Sequence, residues 1–302
     1  MPEQFARAGA VELCYETFGD PADPALLLIM GLGTQMIAWD PAFCGQLVDC
    51  GFHVIRYDNR DIGRSTHFDS VRPPNPSEIL TRRIKHPAYL LNDMADDAVG
   101  LLDALDIDRA HVVGASMGGM IAQVVAVRHP DRVRSLTSIM STTGGRLVGQ
   151  PAPRVFPFFL RRREEDPAAA AERMVKLFGV IGSPGFPRDV ERLRALIRES
   201  IARSANDMAG TGRQLAAVLA SGNRTRDLAR ITAPTLVIHG TSDRMVGKSG
   251  GRATSRAIPG ARMELIEGMG HDLPPGAWPR IVDLIAEHAR AADGAAEPAV
   301  VT

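Results

Sequence analysis

The sequence predicts an α/β protein built on a mostly parallel, doubly wound sheet, and three observations support this. Short runs of Leu, Ile and Val alternate with longer amphipathic stretches. Several of the short runs are apolar throughout instead of alternating, the mark of strands buried on both faces. The rhythm breaks once, in mid-chain, where a long segment offers no strand.

Strands are expected at Val11–Phe18, Ala25–Met30, His53–Tyr57, Ala110–Val113, Val133–Met140, Thr235–His239 and Arg262–Ile266. Between them, Leu91–Leu105 places Leu91, Met94, Ala98, Leu101, Leu102 and Leu105 on one helical stripe. Met117–Val127 is a small-residue helix able to approach a sheet closely, and Pro279–Ala291 reads as a closing helix. From about Gly144 to Arg230 arginine, alanine and proline accumulate, with helices expected at Leu193–Ala205 and Gln214–Leu219. Residues 144–230 are therefore expected to form a helical cap or lid inserted between core segments 1–143 and 231–291. Residues 292–302 are expected to be a flexible tail.

The bulk properties exclude several classes. Across 302 residues, 35 Lys and Arg balance 35 Asp and Glu. A formal charge of zero gives no general attraction to nucleic acid or to an anionic membrane surface. The run Arg161–Arg163 reads as a solvated helix face. Cys14, Cys44 and Cys50 are an odd count without a C-x-x-C pair, which argues against a disulfide framework and a structural zinc site. Met1–Gly9 has no apolar h-region, and every apolar run is far shorter than the ~20 residues of a membrane span. A cytoplasmic location is the expectation.

The chemistry centres on "HVVGASMGGMIAQ", His111 to Gln123. Gly114-Ala115-Ser116-Met117-Gly118 is G-x-S-x-G with a strand before it and a small-residue helix after it, the context a nucleophile turn requires. A serine hydroxyl needs a base to take its proton and an acid to orient that base. Of the eight histidines, His111 and His239 lie in strands and His129 sits at a helix end. His53, His67, His86 and His288 have no glycine-rich loop or acid placed around them. His271, in "EGMGHDLP", follows the last strand by a short glycine loop and is the candidate base. The acid is expected between nucleophile and base, where "LVIHGTSDRMV" offers Asp243 just past a strand end. Asp272 is adjacent to the base and faces elsewhere, and "STTGGR" after the Val133–Met140 strand has no carboxylate.

The loop "GLGTQM", after the strand beginning at Ala25, invites comparison with a dinucleotide fingerprint. Met36 stands where close helix–strand packing needs glycine or alanine, and Asp58 is too distant to be the ribose-binding acid, so nicotinamide binding is not expected.

Taken together, Gly114–Gly118, "GTSDRMV", "GMGH" and "VIRYDNRDIGRS" resemble the α/β-hydrolase superfamily of esterases and lipases, over the whole chain. The last segment is similar to that family's D-x-R-G-x-G-x-S run, with Asp61 where glycine is usual. Asp58, Arg60 and Ser65 are read there as braces between loops. More narrowly, "DPADPALLLIMG", "HVIRYDNRD" and "RAHVVGASMG" resemble the methylesterases of anthracycline biosynthesis and related bacterial carboxylesterases; the likeness is strong in the core and weak in the insert.

The resemblance implies a serine carboxylesterase with Ser116, Asp243 and His271 as triad and the backbone N–H groups of Leu32 and Met117 as oxyanion hole. It implies a small-molecule ester substrate and requires no metal or organic cofactor. Met30 stands where the family often has histidine, which leaves the support of the Leu32 loop open. Phe156, Phe158, Phe159 and Phe178 are candidate walls of a substrate pocket. The same constellation also serves cofactor-free haloperoxidase or perhydrolase chemistry and C–C bond hydrolysis, and some members of the fold are non-catalytic ligand receptors. Oligomeric state is not readable.

Overall fold

The computed structural model describes residues 2–155, 157–158, 166–204 and 207–296. Eight strands form one sheet: β1 (Gln4–Ala8), β2 (Val11–Phe18), β3 (Ala25–Ile29), β4 (His53–Tyr57), β5 (Ala110–Ala115), β6 (Val133–Ile139), β7 (Thr235–Gly240) and β8 (Arg262–Ile266). Their order is β1-β2-β4-β3-β5-β6-β7-β8. β1 and β2 form an antiparallel hairpin, and β2 meets β4 antiparallel. Every later pairing is parallel.

The strand not foreseen is β1. Its sequence, QFARA, is mostly exposed and lacks an apolar run, so periodicity gave it no signal. The tight turn after it uses Gly9 at φ +59°. The other strands coincide with the sequence-placed runs to within two residues at their ends.

Alternate residues of the buried strands feed two separate cores. Leu27, Ile29 and Val112 pack with Leu91, Met94, Leu102, Ile121 and Val125 from α3 (Leu91–Ala104) and α4 (Met117–Arg128). Leu26, Leu28 and Val113 pack on the opposite face against α1 (Pro41–Asp49) and α10 (Trp278–Ala296). Here Trp39 stacks on Phe43 at 5.5 Å, and Phe43 meets Trp278 edge-on at 5.9 Å. Each fully buried Leu or Ile contributes about 1.5–3 kcal/mol, so the continuous apolar strands lock the sheet between its two helical layers. The closing helix runs past Ala291 to Ala296, so the first part of the expected tail is helical; 297–302 lie outside the described residues.

Short helix α2 (Pro76–Thr81) lies in the β4–α3 connection, and α9 (Ser249–Ala257) joins β7 to β8. Between β6 and β7 the described residues hold α5 (Pro167–Ile181), α6 (Val190–Arg203), α7 (Asp207–Ser221) and α8 (Thr225–Leu228). The sequence places α6 and part of α7; α5 is not foreseen. Among the described residues no strand lies in this insert and no helix is long and apolar enough to cross a membrane. Cys14 and Cys44 are buried, and burial pushes both thiols up to about 12, so they are inert packing groups.

Candidate active site

The parallel strands β3, β5, β7 and β8 all deliver their carboxyl ends to one edge, and β3 and β5 flank the point where strand order reverses. Open α/β sheets place ligand sites at that switch point. Four loops converge there.

The loop after β5 carries Ser116 in a left-handed backbone conformation, φ +56° and ψ −116°, immediately before α4. For a residue with a Cβ this conformation costs of order 1–3 kcal/mol and persists only where neighbours enforce it. The neighbours are glycines in near-contact with backbone. A Cβ on Gly114 would lie 2.1 Å from the Gly118 carbonyl oxygen, and one on Gly118 would lie 2.0 Å from that of Ile29. The Ser116 N–H donates to the Ile139 carbonyl at 2.9 Å, and the Ser141 hydroxyl donates to the Ser116 carbonyl at 2.8 Å. The strained turn is thus held from β6 as well as from its own strand.

His271 and Asp243 reach Ser116 from the loops after β8 and β7. His271 Nε2 lies 2.9 Å from Ser116 Oγ and Nδ1 lies 2.8 Å from Asp243 Oδ2. The Asp243 side chain is fully buried, and its Oδ1 accepts the Met245 and Val246 N–H groups at 2.9 and 2.8 Å. A carboxylate only accepts, so the proton on the imidazole sits on Nδ1 and the Nε2 lone pair faces the serine. The His271 N–H donates to Ile181 O at 2.7 Å, tying the base loop to the end of α5. Ser183 accepts the Gly270 N–H at 2.7 Å and donates to Asp272, whose carboxyl burial pushes above its ordinary range.

Leu32 and Met117 lie at the starts of the loop after β3 and of α4. Among the described residues neither N–H is spent on a backbone acceptor. The β3 loop runs beside the serine, since a Cβ built on Gly31 would come within 3.2 Å of Ser116 Cβ. With Met30 in the family's histidine position, other groups brace this loop. Asn59 donates to the Met30 carbonyl at 2.9 Å, and Gln214 of α7 accepts the Gly33 N–H at 2.9 Å. Asp58 accepts the Met36 N–H at 2.7 Å. Asn59 and Gln214 escaped the sequence reading because an isolated amide carries no pattern.

The braces expected in the β4 loop are present. The Ser65 hydroxyl donates to the Asp58 carbonyl at 2.6 Å, and Arg60 grips Asp97 through two hydrogen bonds while lying over the rings of Phe68 and Tyr89. Asp61 has φ +70°, a conformation that favours glycine. Here the fully buried carboxylate accepts Arg213 of α7 at 2.9 and 2.7 Å and the Tyr89 hydroxyl at 2.7 Å. Arg203 of α6 likewise reaches Asp58 at 2.8 Å. These ion pairs tie the insert to the core.

A cavity of about 1690 Å³ lies over Ser116 and His271, between the core loops and the insert. It exceeds the usual ~300–1,000 Å³ of ligand pockets. Its apolar walls include Met30, Met117, Met120, Met140, Met174, Met208 and Met245, with Leu177, Leu196, Leu215 and Phe178 from the insert. Of the expected phenylalanines, Phe178 lines it. Phe158 is half-buried and does not line it, and Phe156 and Phe159 lie outside the described residues. The methionines outnumber phenylalanine there and suit an adaptable wall. Among the described residues no cluster of His, Cys, Asp and Glu is arranged to hold a metal ion.

Several other histidines bond elsewhere. His111 meets Ser135 and Asp293, His129 meets Asp96, and His288 meets the Leu136 and Pro234 carbonyls. His239 was not foreseen as a neighbour of the acid: its Nε2 lies 2.8 Å from the Val246 carbonyl and 3.5 Å from Asp243 Oδ2. Burial holds its pKa below the ordinary value, so it packs behind Asp243 as a neutral ring.

Residues 24–274 match the alpha/beta hydrolase fold family. Rhodomycin D methylesterase from Streptomyces peucetius is 31% identical over 97% of this chain and 99% of its own. A 2-hydroxy-6-oxononadienedioate/2-hydroxy-6-oxononatrienedioate hydrolase from Cupriavidus pinatubonensis is 32% identical over 74% of this chain and 72% of its own. Among solved structures, a thermophilic esterase from Thermogutta terrifontis superposes with a TM-score of 0.72 at 25% identity, covering 97% of this chain and 99% of that one. With the family pattern spanning most of the chain and a relative aligned end to end, the protein belongs to the alpha/beta hydrolase family.

Proposed function

We propose that the chain is a serine carboxylesterase that works through an acyl-enzyme. The observation that carries this is the unbroken relay from Ser116 Oγ through His271 to Asp243, with contacts of 2.9 and 2.8 Å at the floor of a large apolar cavity. His271 Nε2 takes the hydroxyl proton as Ser116 attacks the ester carbonyl, and Asp243 stabilises the imidazolium. The N–H groups of Leu32 and Met117 receive the developing oxyanion, an interaction worth about 2.7–4 kcal/mol per donor. His271 returns the proton to the departing alcohol, then activates water to release the acid. The insert 144–230 serves as cap, with Phe178 and the methionines as substrate wall.

The nearly full-length methylesterase relative makes small alcohol leaving groups, methanol first, the favoured class. The test is a p-nitrophenyl ester chain-length series run beside methyl esters of aromatic acids, with Ser116→Ala as control. Turnover that Ser116→Ala abolishes is expected, with methyl esters among the substrates; turnover that survives the substitution contradicts the assignment. The dienedioate hydrolase relative supports a second reading, C–C bond hydrolysis at the same serine. A 2-hydroxy-6-oxo-dienoate cleaved faster than every ester would favour it.

A further inference from the structure

On the reading of Ser116 as an ester-cleaving nucleophile, the geometry points to Gln214, in the insert, as a positioning residue for the oxyanion hole. Gln214 is fully buried on α7. Its Oε1 accepts the Gly33 N–H at 2.9 Å and its Nε2 donates to the Arg60 carbonyl at 2.9 Å. One side chain thus satisfies a backbone donor in the β3 loop and a backbone acceptor in the β4 loop.

Gly33 sits in a short turn in which the Thr34 N–H donates to the Gly31 carbonyl at 3.3 Å. In a trans peptide the C=O and N–H point in opposite directions. The Gly31 carbonyl and the Leu32 N–H belong to one peptide unit, so a carbonyl turned toward Thr34 sends the Leu32 N–H the other way. A flip of that unit would present a carbonyl oxygen, not a donor, to the oxyanion. The turn needs Gly33 at φ +65°, and Gln214 is the side chain that holds its N–H.

The rest of α7 presses on the same loops. Asp207, Gly210, Thr211 and Gln214 share one helical face. Asp207 accepts the Gly63 N–H at 2.9 Å. A Cβ on Gly210 would fall 1.8 Å from the Asp61 carbonyl oxygen, and one on Gly33 would fall 2.6 Å from Thr211 Oγ1. The face is in backbone contact with the core, which leaves Gln214 no freedom to withdraw while α7 stays docked. The insert therefore contributes to transition-state stabilisation as well as to the substrate wall.

The experiment compares wild type, Gln214→Met and Gln214→Glu, with rates expressed per site titrated by a phosphonate ester so that misfolded protein does not enter. Gln214→Met fills the same space without the bonds. It is expected to lower kcat about tenfold or more, less than the ~10²–10³ of deleting a donor outright, with KM for a short ester within about twofold. The affinity of a boronic acid that forms a tetrahedral adduct on Ser116 should weaken by the same factor as kcat. Binding of the carboxylic acid product should not change. Gln214→Glu keeps an acceptor for the Gly33 N–H and should recover most of the loss in kcat. Unchanged kcat and boronate affinity in Gln214→Met, a loss confined to KM, or a Gln214→Glu as impaired as Gln214→Met would each overturn the proposal. Failure of the esterase reading itself would show differently, as wild type without Ser116-dependent turnover or boronate binding.

Discussion

The core loops and the insert both reach the same cavity, but the balance of forces that holds them differs. Around Ser116 the positioning is steric: Gly114 and Gly118 touch backbone, and strand pairing from β6 fixes the turn. Across the insert boundary close glycine contacts, such as Gly210 on Asp61, are joined by polar ones: Arg203 on Asp58, Arg213 on Asp61, Gln214 on Gly33, and Ser183 beneath the base loop. Steric positioning gives precision that no rearrangement short of unfolding releases. Buried ion pairs add little net stability, yet breaking one leaves a stranded charge. On the proposed mechanism the reacting centre rests mainly on steric contacts, and the insert adds polar contacts that can be removed singly.

Substitutions can break this comparison at graded depth. Ser116→Ala should remove about 10⁶-fold of kcat with the thermal midpoint unchanged, measured on p-nitrophenyl acetate. Asp243→Asn should cost about 10⁴-fold, because an amide no longer selects the His271 tautomer with its proton on Nδ1. Asp61→Asn should leave Arg213 with only the exposed Asp69 carboxylate at 3.2 Å and destabilise in urea unfolding by less than the ~3–5 kcal/mol of a fully stranded buried charge. Pairing Asp61→Gly with Arg213→Leu should recover much of that loss, since glycine accepts φ +70° without strain. If Asp61→Asn is neutral, the polar attachment of the insert is misdescribed.

The smallest effect expected is on the pH dependence of stability. Burial depresses the pKa values of His111, His239 and His288 below that of a free histidine. The unfolded chain therefore binds protons that the native state does not. Their contribution is fully present above the unfolded value of about 6.5 and is lost as pH falls below it. Buried Asp97 and Asp272 are shifted upward and oppose this on further acidification. Urea midpoints should fall between pH 7.5 and 6; a midpoint flat across that range contradicts the neutral buried rings.

What the sequence made legible follows the same division. Strands buried on both faces and a G-x-S-x-G turn impose composition on consecutive residues, so the β5–Ser116–α4 unit could be read directly. The hairpin strand β1 could not, because an exposed edge imposes no apolar pattern. The Asp61–Arg213 pair spans 152 positions, so no local pattern links its two members. Gln214 gave no hint: its partners are backbone groups, which any sequence supplies. Of the phenylalanines expected in the cavity wall Phe178 lines it, and leucines and methionines, which satisfy the same apolar periodicity, outnumber it.

The central claim is that Ser116 becomes acylated during turnover. Mixing the protein with a p-nitrophenyl ester and quenching within the first turnover should release about one equivalent of p-nitrophenol per enzyme in a burst. Mass spectrometry should then find the acyl group on the peptide containing Ser116, and Asp243→Asn should slow its appearance. Steady turnover without any adduct at Ser116, or with the acyl group on another residue, would contradict the account.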